Sequence, residues 1–498
     1  MSKAIALQRG PRPWQRPGSL KRGLVLLAAL LLAPFMGLLA AVLPWQYVVI
    51  LVGLPTLAVA AIMYPLAGLI AVFALIFEAV PGFLQPDLPF GGARLKLFDL
   101  AIAYLAAIAL VRAMLQGGTL WKPLHEFRWP LLYLLVALVL SIAYVRIAAP
   151  NSLMLAEARA HFVWLLLPLS VFAVPNLDKH RVLVFSAVGI AVIVSVYLLL
   201  QTGLGLRIMT GSRIEMLDTG SNADVVRSIA GGAIYIVIFA LYLALNRLWE
   251  GRLSAWLALP LMLLLILGIA VQFGRGIWVA SAVGLLVSSA YFRGFGGLVK
   301  TAMFMGVAVV LAFVLVLAVK PRTAEAMLDR VTSIQQEIQR GGSFGWRRIE
   351  NQTAMRVIAS RPLLGTGIGG DYKGVVSSSA SFANETTYIH NGYLYFPLKM
   401  GVWAALIPFA FIAAFAFAVR RYSRVAGAGV DRGQLAALIG AFVVPVLASY
   451  TQPEWTNPKG IAAYCLLMAL LLQMANMVPR ASASRFARSA DETTGAVA

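Results

Sequence analysis

The side chains in this sequence best suited to chemistry on an anionic substrate are a few histidines and arginines. A histidine takes a proton from a hydroxyl near neutral pH. A guanidinium grips a phosphate through two parallel hydrogen bonds. Of the four histidines, His125 and His180 fall in stretches expected on the cytoplasmic side. His161 and His390 fall at the outer starts of two apolar spans, so only these two can serve an outward-facing reaction. His390 opens the run His390-Asn391-Gly392-Tyr393-Leu394 at the exit of a long polar insert. Arg275 stands in Gly274-Arg275-Gly276-Ile277-Trp278, a tight connection between two apolar runs. There an arginine is costly unless it snorkels or pairs, and its flanking glycines let a ligand approach the backbone. Arg94, Arg159, Arg213, Arg227, Arg347 and Arg348 are also expected outside. Each alone reads as a solvated or headgroup-contacting charge, and as a set they suit an anionic ligand.

Several kinds of chemistry leave no mark in the sequence. It has no phosphate-binding P-loop, no Ser-centred nucleophile elbow, and no outward Asp-x-Asp or Glu-x-Asp pair. No cluster of His, Asp and Glu has metal-ligand spacing. Group transfer by such a chain is expected to need neither metal nor nucleotide cofactor.

The elements that must position these residues are membrane helices. The 498 residues are 60% hydrophobic and 12% charged, with a mean hydropathy of +0.83; soluble domains carry about 25% charged residues. With no lipid-facing strand pattern, helices are the viable way across a bilayer. The expected fold is an all-α polytopic membrane protein of about 12–14 helices. Fourteen candidate spans are legible: 24–43, 46–63, 65–80, 98–115, 129–147, 160–175, 181–202, 227–246, 253–272, 276–292, 299–319, 391–418, 433–449 and 458–477. The net charge of +21 fits basic cytoplasmic loops and anionic lipid headgroups rather than nucleic acid. The single cysteine, Cys465, lies in the last apolar span and excludes a disulfide framework.

Lys and Arg in the short loops put the N-terminus inside. The chain then divides into a basic cytoplasmic tail (1–22), a transmembrane bundle of about eleven helices (23–319), a large outer loop (320–389), C-terminal transmembrane helices (390–478) and a disordered cytoplasmic tail (479–498). Loops much beyond about 15 residues are usually functional or disordered, and this one has helical periodicity. Met327, Val331, Ile334 and Ile338 predict one amphipathic helix ending at Gly341-Gly342. Trp346, Ile349, Thr353 and Val357 predict a second ending before Arg361-Pro362.

Pro362-Leu363-Leu364-Gly365-Thr366-Gly367 followed by His390-Asn391-Gly392-Tyr393-Leu394 and Gly401 resembles the O-antigen ligase and O-antigen polymerase superfamily of bacterial envelopes. His390 and Gly401 reproduce the ligase spacing His-x10-Gly. Arg275 through Val279 is similar to the ligase Arg-x3-Leu motif, with valine for leucine. About twelve spans are usual for ligases, against fourteen here. The resemblance implies a GT-C type membrane glycosyltransferase with a lateral lipid opening capped by the loop helices. It implies a glycan donor on undecaprenyl pyrophosphate in the bacterial inner membrane, and an active site facing the periplasm. His390 and Arg275 would be catalytic; Arg275 with Arg213, Arg227, Arg347 and Arg348 would bind the pyrophosphate; Asn391, Gly401, Gly365 and Gly367 would be structural. The partners would be that donor, a saccharide acceptor (lipid A-core or a lipid-linked repeat unit) and membrane lipids, with no nucleic acid. A transporter or flippase of lipid-linked sugars is the alternative from another class. It would place ionisable residues near mid-membrane, whereas here they cluster toward the outer surface.

Overall fold

The computed structural model describes residue 59 and residues 62–85, 87–90, 93–116, 122–209, 213–216, 225–332, 343–374, 386–426 and 431–495; the side chains of 88–90, 93, 115–116, 122, 213–216, 343–344, 426 and 478–495 lie outside that description. The chain splits into two compact units, 1–59 and 60–498, and every element from Pro65 onward belongs to the second. The basic tail 1–22, the expected span 24–43 and nearly all of 46–63 lie outside the described residues.

Uninterrupted apolar sequence makes helices, and the polar breaks fall close to where they are expected. In chain order these are α1 (Pro65–Ile76), the ribbon β1–β2 (Leu88–Phe90, Ala93–Leu95), α2 (Leu97–Gln116), α3 (Arg128–Ala148) and α4 (Met154–Ala160). A 3₁₀ turn at His161–Leu165 leads from α4 into α5 (Leu166–Ala173), followed by α6 (Leu177–Leu204) and the ribbon β3–β4 (Arg213–Met216, Val226–Ile229). Then come α7 (Ile234–Trp249), α8 (Ala255–Ala270), α9 (Arg275–Val319), α10 (Pro321–Thr332), α11 (Ser343–Ser360), α12 (Gly392–Met400), α13 (Leu406–Ala426), α14 (Arg432–Ala448) and α15 (Pro458–Gly495). Among the described residues, eight helical stretches are long and apolar enough to cross a membrane, and α1, α8 and α14 are shorter apolar helices. The protein is an all-α polytopic membrane protein, as the composition predicts.

Four details refine the sequence reading. The expected span 227–246 begins as strand, because Val226–Ile229 pairs antiparallel with Arg213–Met216. The helix starts only after Gly231-Gly232, where the backbone of Gly232 lies against that of Lys459 and Gly460. The spans 276–292 and 299–319 are the two halves of α9, which reverses at Gly294 (φ 68°, ψ −164°), a conformation that glycine adopts without steric cost. The span 391–418 breaks at Gly401 into α12 and α13. Helix α15 is assigned from Pro458 to Gly495.

Helices α7, α14 and α15 form the centre. Ile234 to Leu245 and Ile461 to Leu472 are almost completely buried. Close approach comes from small residues, as is usual between membrane helices: Gly284 of α9 and Gly440 of α14 each face the other's carbonyl. A column of rings fills the space beside α15: Trp164 on Phe411 at 4.4 Å, Trp455 on Tyr464 at 4.0 Å, and Phe415 on Phe442 at 3.8 Å between centroids. Basic loop residues gather at one end. Arg247 holds Asp431 bidentately at 3.0 and 2.7 Å, Arg293 donates to the Trp249 carbonyl at 2.9 Å, and Arg421 pairs with Glu126 at 2.5 Å. The insert lies at the other end, where Lys320 donates to the carbonyl of Gly203 at the end of α6.

Gly401 has φ 98°, and a side chain there would run into the carbonyl of Leu363. Gly401→Ala should therefore destabilise the protein by about 1–3 kcal/mol, read as a lower melting temperature of the detergent-solubilised chain by tryptophan fluorescence. Gly203→Ala, in helix and with open space around it, should leave that temperature unchanged or slightly raised. Equal melting of both variants would contradict the assignment of Gly401 as a packing constraint.

Candidate functional site

His390 is placed by the helix that follows it. Asn391 caps α12, its side chain accepting from the amides of Tyr393 at 3.0 Å and Leu394 at 3.3 Å, as asparagine does at a helix start. The Gly392 amide donates to the Ser449 carbonyl at 2.8 Å, which docks the start of α12 on the α14–α15 turn. His390 is buried, and it meets a residue that the sequence reading overlooks. Glu350 of α11 accepts from both the backbone N–H and Nδ1 of His390, each at 2.9 Å and each on Oε2. Its other oxygen accepts from Lys373 Nζ at 2.7 Å. The Glu350 side chain has no exposed surface. Burial alone would push its carboxyl up, but the hydrogen bonds and charge of His390 and the Lys373 ammonium outweigh burial and hold it at about 2. Tyr388 stands edge-on to the His390 ring at 4.8 Å, and Tyr372 fixes Tyr388 by donating to its carbonyl at 2.8 Å.

Glu350 escapes a sequence reading because the second insert helix is rotated from its apparent apolar face. The helix itself, and its end before Arg361-Pro362, are as expected. Yet Ile349 is 56% exposed while Glu350, Ala354 and Ile358 are buried. The signal that was available is the four-residue spacing of Glu350 with Ala354 and Ile358 on one face. The first insert helix is described as far as Thr332; Ile334, Ile338 and Gly341-Gly342 lie outside the described residues.

The segment from Arg361 to Gly370 is a packed strap. Thr366 N donates to the Leu398 carbonyl at 2.8 Å, and Val402 N to that of Pro362 at 2.8 Å. Gly365 lies against Leu398 and Lys399, and Gly367 against Tyr144 and Val145 of α3. Below the strap, Lys399 is fully buried; it donates to the Gly370 carbonyl at 2.6 Å and stands 3.5 Å from Glu157 of α4. Glu157 also accepts from the Gly369 amide. Ser141 takes the Ile368 amide at 3.0 Å. His161, the other histidine expected on the outer side, is buried in this region against the Tyr395 hydroxyl at 3.2 Å.

The predicted arginines divide. Arg275 opens α9 and donates from Nε to the carbonyl of Arg330 at 2.6 Å, so it joins the α8–α9 turn to the last turn of α10 and brings the Arg330 charge beside it. Arg227 on β4 donates to the Gln272 carbonyl at 2.9 Å, on the same turn. The backbone of Gly276 lies beside Thr451, on the turn that also receives Gly392. Arg347 is partly buried near Tyr388 and Glu350, and burial pulls its guanidinium below the usual value. Arg348 and Arg94 are exposed. Arg159 is engaged with Asp99 at 3.0 Å. Arg213 lies on β3 opposite Ile229, its side chain outside the described residues. A cavity of about 580 Å³ runs between α7, α8, α10 and the two halves of α9, with a lining that includes Trp278, Met305, Phe313, Met327 and Val331.

Residues 238–409 match the family model described as O-Antigen ligase. That stretch is roughly a third of the chain, and it runs from α7 through Arg275, the insert, His390 and Gly401 into α13. No curated protein matches the chain. The match carries with it the general activity of that group, of ligase or polymerase type. Residues 238–409 thus carry an O-antigen ligase domain, within a chain whose apolar helices make it a multi-pass membrane protein.

Proposed function

We propose that this protein is an inverting, metal-independent glycosyltransferase of the bacterial inner membrane. It moves a glycan from undecaprenyl pyrophosphate to the hydroxyl of an acceptor sugar at the periplasmic face. One observation carries the reading. The start of α9, with Arg275, and the start of α12, with His390, both border the turn at 449–452, through the contact of Gly276 with Thr451 and the hydrogen bond of Gly392 to Ser449. A proton acceptor and an anion-binding arginine thereby flank one turn at the insert end of the bundle.

In the proposed step, the acceptor oxygen attacks the anomeric carbon as its proton passes to His390. The bond from that carbon to the diphosphate oxygen breaks, and its electron pair leaves with the diphosphate. Arg275 and Arg227 stabilise the charge that develops there, Arg330 stands beside them, and Arg347 adds charge on the His390 side. A single displacement inverts the anomeric centre. The diphosphate is already an activated leaving group, so the arginines supply what a metal would otherwise supply. The apolar cavity lined by Trp278 of α9 and by Met327 and Val331 of α10 suits part of the polyprenyl chain. The acceptor is either lipid A-core or a second lipid-linked repeat unit.

His390→Ala should lower glycan transfer by about 10²–10⁴-fold and Arg275→Ala by about 10²–10³-fold, each with the protein still present in the membrane by immunoblot. Wild-type surface polysaccharide in both variants would sink this mechanism. A deletion strain separates the two acceptors. Loss of a ligase leaves polymerised glycan on its lipid carrier that never reaches lipid A-core, whereas loss of a polymerase leaves at most one repeat unit on the surface, as read on a carbohydrate-stained gel.

A further inference from the structure

We infer that Glu350 is a positioning residue for His390, fixing the imidazole so that Nδ1 carries the hydrogen and Nε2 is the nitrogen that takes the acceptor's proton. The inference rests on the glycosyl-transfer reading above and adds a residue that neither the motifs nor the family match assigns a role.

The geometry is a two-point clamp. The backbone N–H and Nδ1 of His390 converge on one oxygen, Oε2, both at 2.9 Å. A carboxylate that only neutralised Lys373 would need a single oxygen, and here that work falls to Oε1, 2.7 Å from Nζ. Oε2 takes both donors of His390, and the Tyr372 hydroxyl also interacts with the carboxylate. An ionised carboxylate has no hydrogen to donate, so the nitrogen facing it bears the hydrogen and the lone pair sits on Nε2. Holding the backbone and the ring on the same atom also fixes the side-chain torsions, and the edge of Tyr388 at 4.8 Å limits ring rotation from another side. When Nε2 receives the proton, the imidazolium forms against a negative charge already in place, with no reorganisation at the moment of reaction.

Among the described residues, the charged and titratable groups facing this carboxylate come from three segments. Arg347 faces it from its own helix, Lys373 and Tyr372 from the strand of chain after the strap, and Tyr388 and His390 from the segment entering α12. Lys399 lies beyond Lys373 and is matched by Glu157. The low value of the Glu350 carboxyl keeps it ionised over the working pH range, so the clamp does not itself titrate there.

The experiment uses the purified full chain in lipid nanodiscs. Its substrate is the total lipid extract of a strain deleted for this gene, which holds both unconsumed donor and unmodified acceptor. Initial rates of release of the polyprenyl diphosphate are followed for wild type, Glu350→Gln, Glu350→Asp and His390→Ala, with melting temperatures recorded for each. Glu350→Gln should lower turnover about 100-fold and leave the half-saturating extract concentration within about twofold. Glu350→Asp keeps the charge but draws it back by one methylene; it should lose about tenfold in turnover, again with the half-saturating concentration little changed.

Folded Glu350→Gln with wild-type turnover would overturn the inference while leaving the transfer reading intact, provided His390→Ala is inactive. Active His390→Ala would instead overturn the transfer reading. If Glu350→Gln does not fold, Glu350→Asp decides, and wild-type turnover in it would refute positioning. If neither folds, Glu350 is a folding anchor and the inference falls.

Discussion

A carboxylate with no exposed surface has to be compensated on every side, and Glu350 imposes that constraint on the insert end of this protein. Removing one partner of a buried ion pair costs about 3–5 kcal/mol, so the arrangement that satisfies Glu350 is strongly specified. It needs α11 in one rotation, the 371–374 segment close enough to deliver Lys373, and the entry to α12 close enough to deliver both donors of His390. Three stretches far apart in the chain are fixed by one side chain. The same logic recurs below the strap, where buried Lys399 is met by Glu157 and the Gly370 carbonyl. These two compensated charges fasten the insert to the bundle from two sides.

Between them runs a strap that works by closeness. The backbone of the 361–370 segment lies on α12 with two inter-segment hydrogen bonds, and its glycines admit Leu398, Tyr144 and the α4 turn where a side chain would collide. Gly401 does the same from the opposite side. The motif glycines are therefore the means by which the charged residues reach their partners, and the small-residue contacts of α9 with α14 play the equivalent part deeper in the bundle.

Most of the bundle is legible in the sequence because lipid solvent leaves few alternatives. Twenty apolar residues in lipid must be helix, and all twelve candidate spans from 65 onward have a helical counterpart. His390, Asn391, Arg275 and the motif glycines are likewise legible, because their neighbours form a recognisable pattern. What escapes is anything set by tertiary contact. Arg227 sits in a strand because β3 is there to pair with it. The apolar stripe of α11 misleads because Ile349 is left exposed while a charged residue is buried, which becomes favourable only once Lys373 and His390 are in place. Lys399 reads from the sequence as an ordinary basic residue near a helix end, and nothing local announces its partner Glu157 more than two hundred residues away.

The site also draws on chain outside the segment that matches the ligase family. The turn at 449–457, on which both Gly276 and Gly392 rest, follows residue 409. Its position is set by buried Trp455, stacked on Tyr464, and by Ser449, which bonds back to Pro445 at 2.7 Å and meets the Tyr464 hydroxyl at 3.1 Å. Glu157 and Ser141, which hold the strap, precede residue 238. The matched segment thus supplies His390, Arg275 and Glu350, whereas the surfaces that hold them in register come from α3, α4, α14 and α15. The turn that borders both the arginine and the histidine is held by Tyr464 of α15, so a core substitution beneath Trp455 would act on the candidate site through geometry, without touching any residue that would meet the substrate.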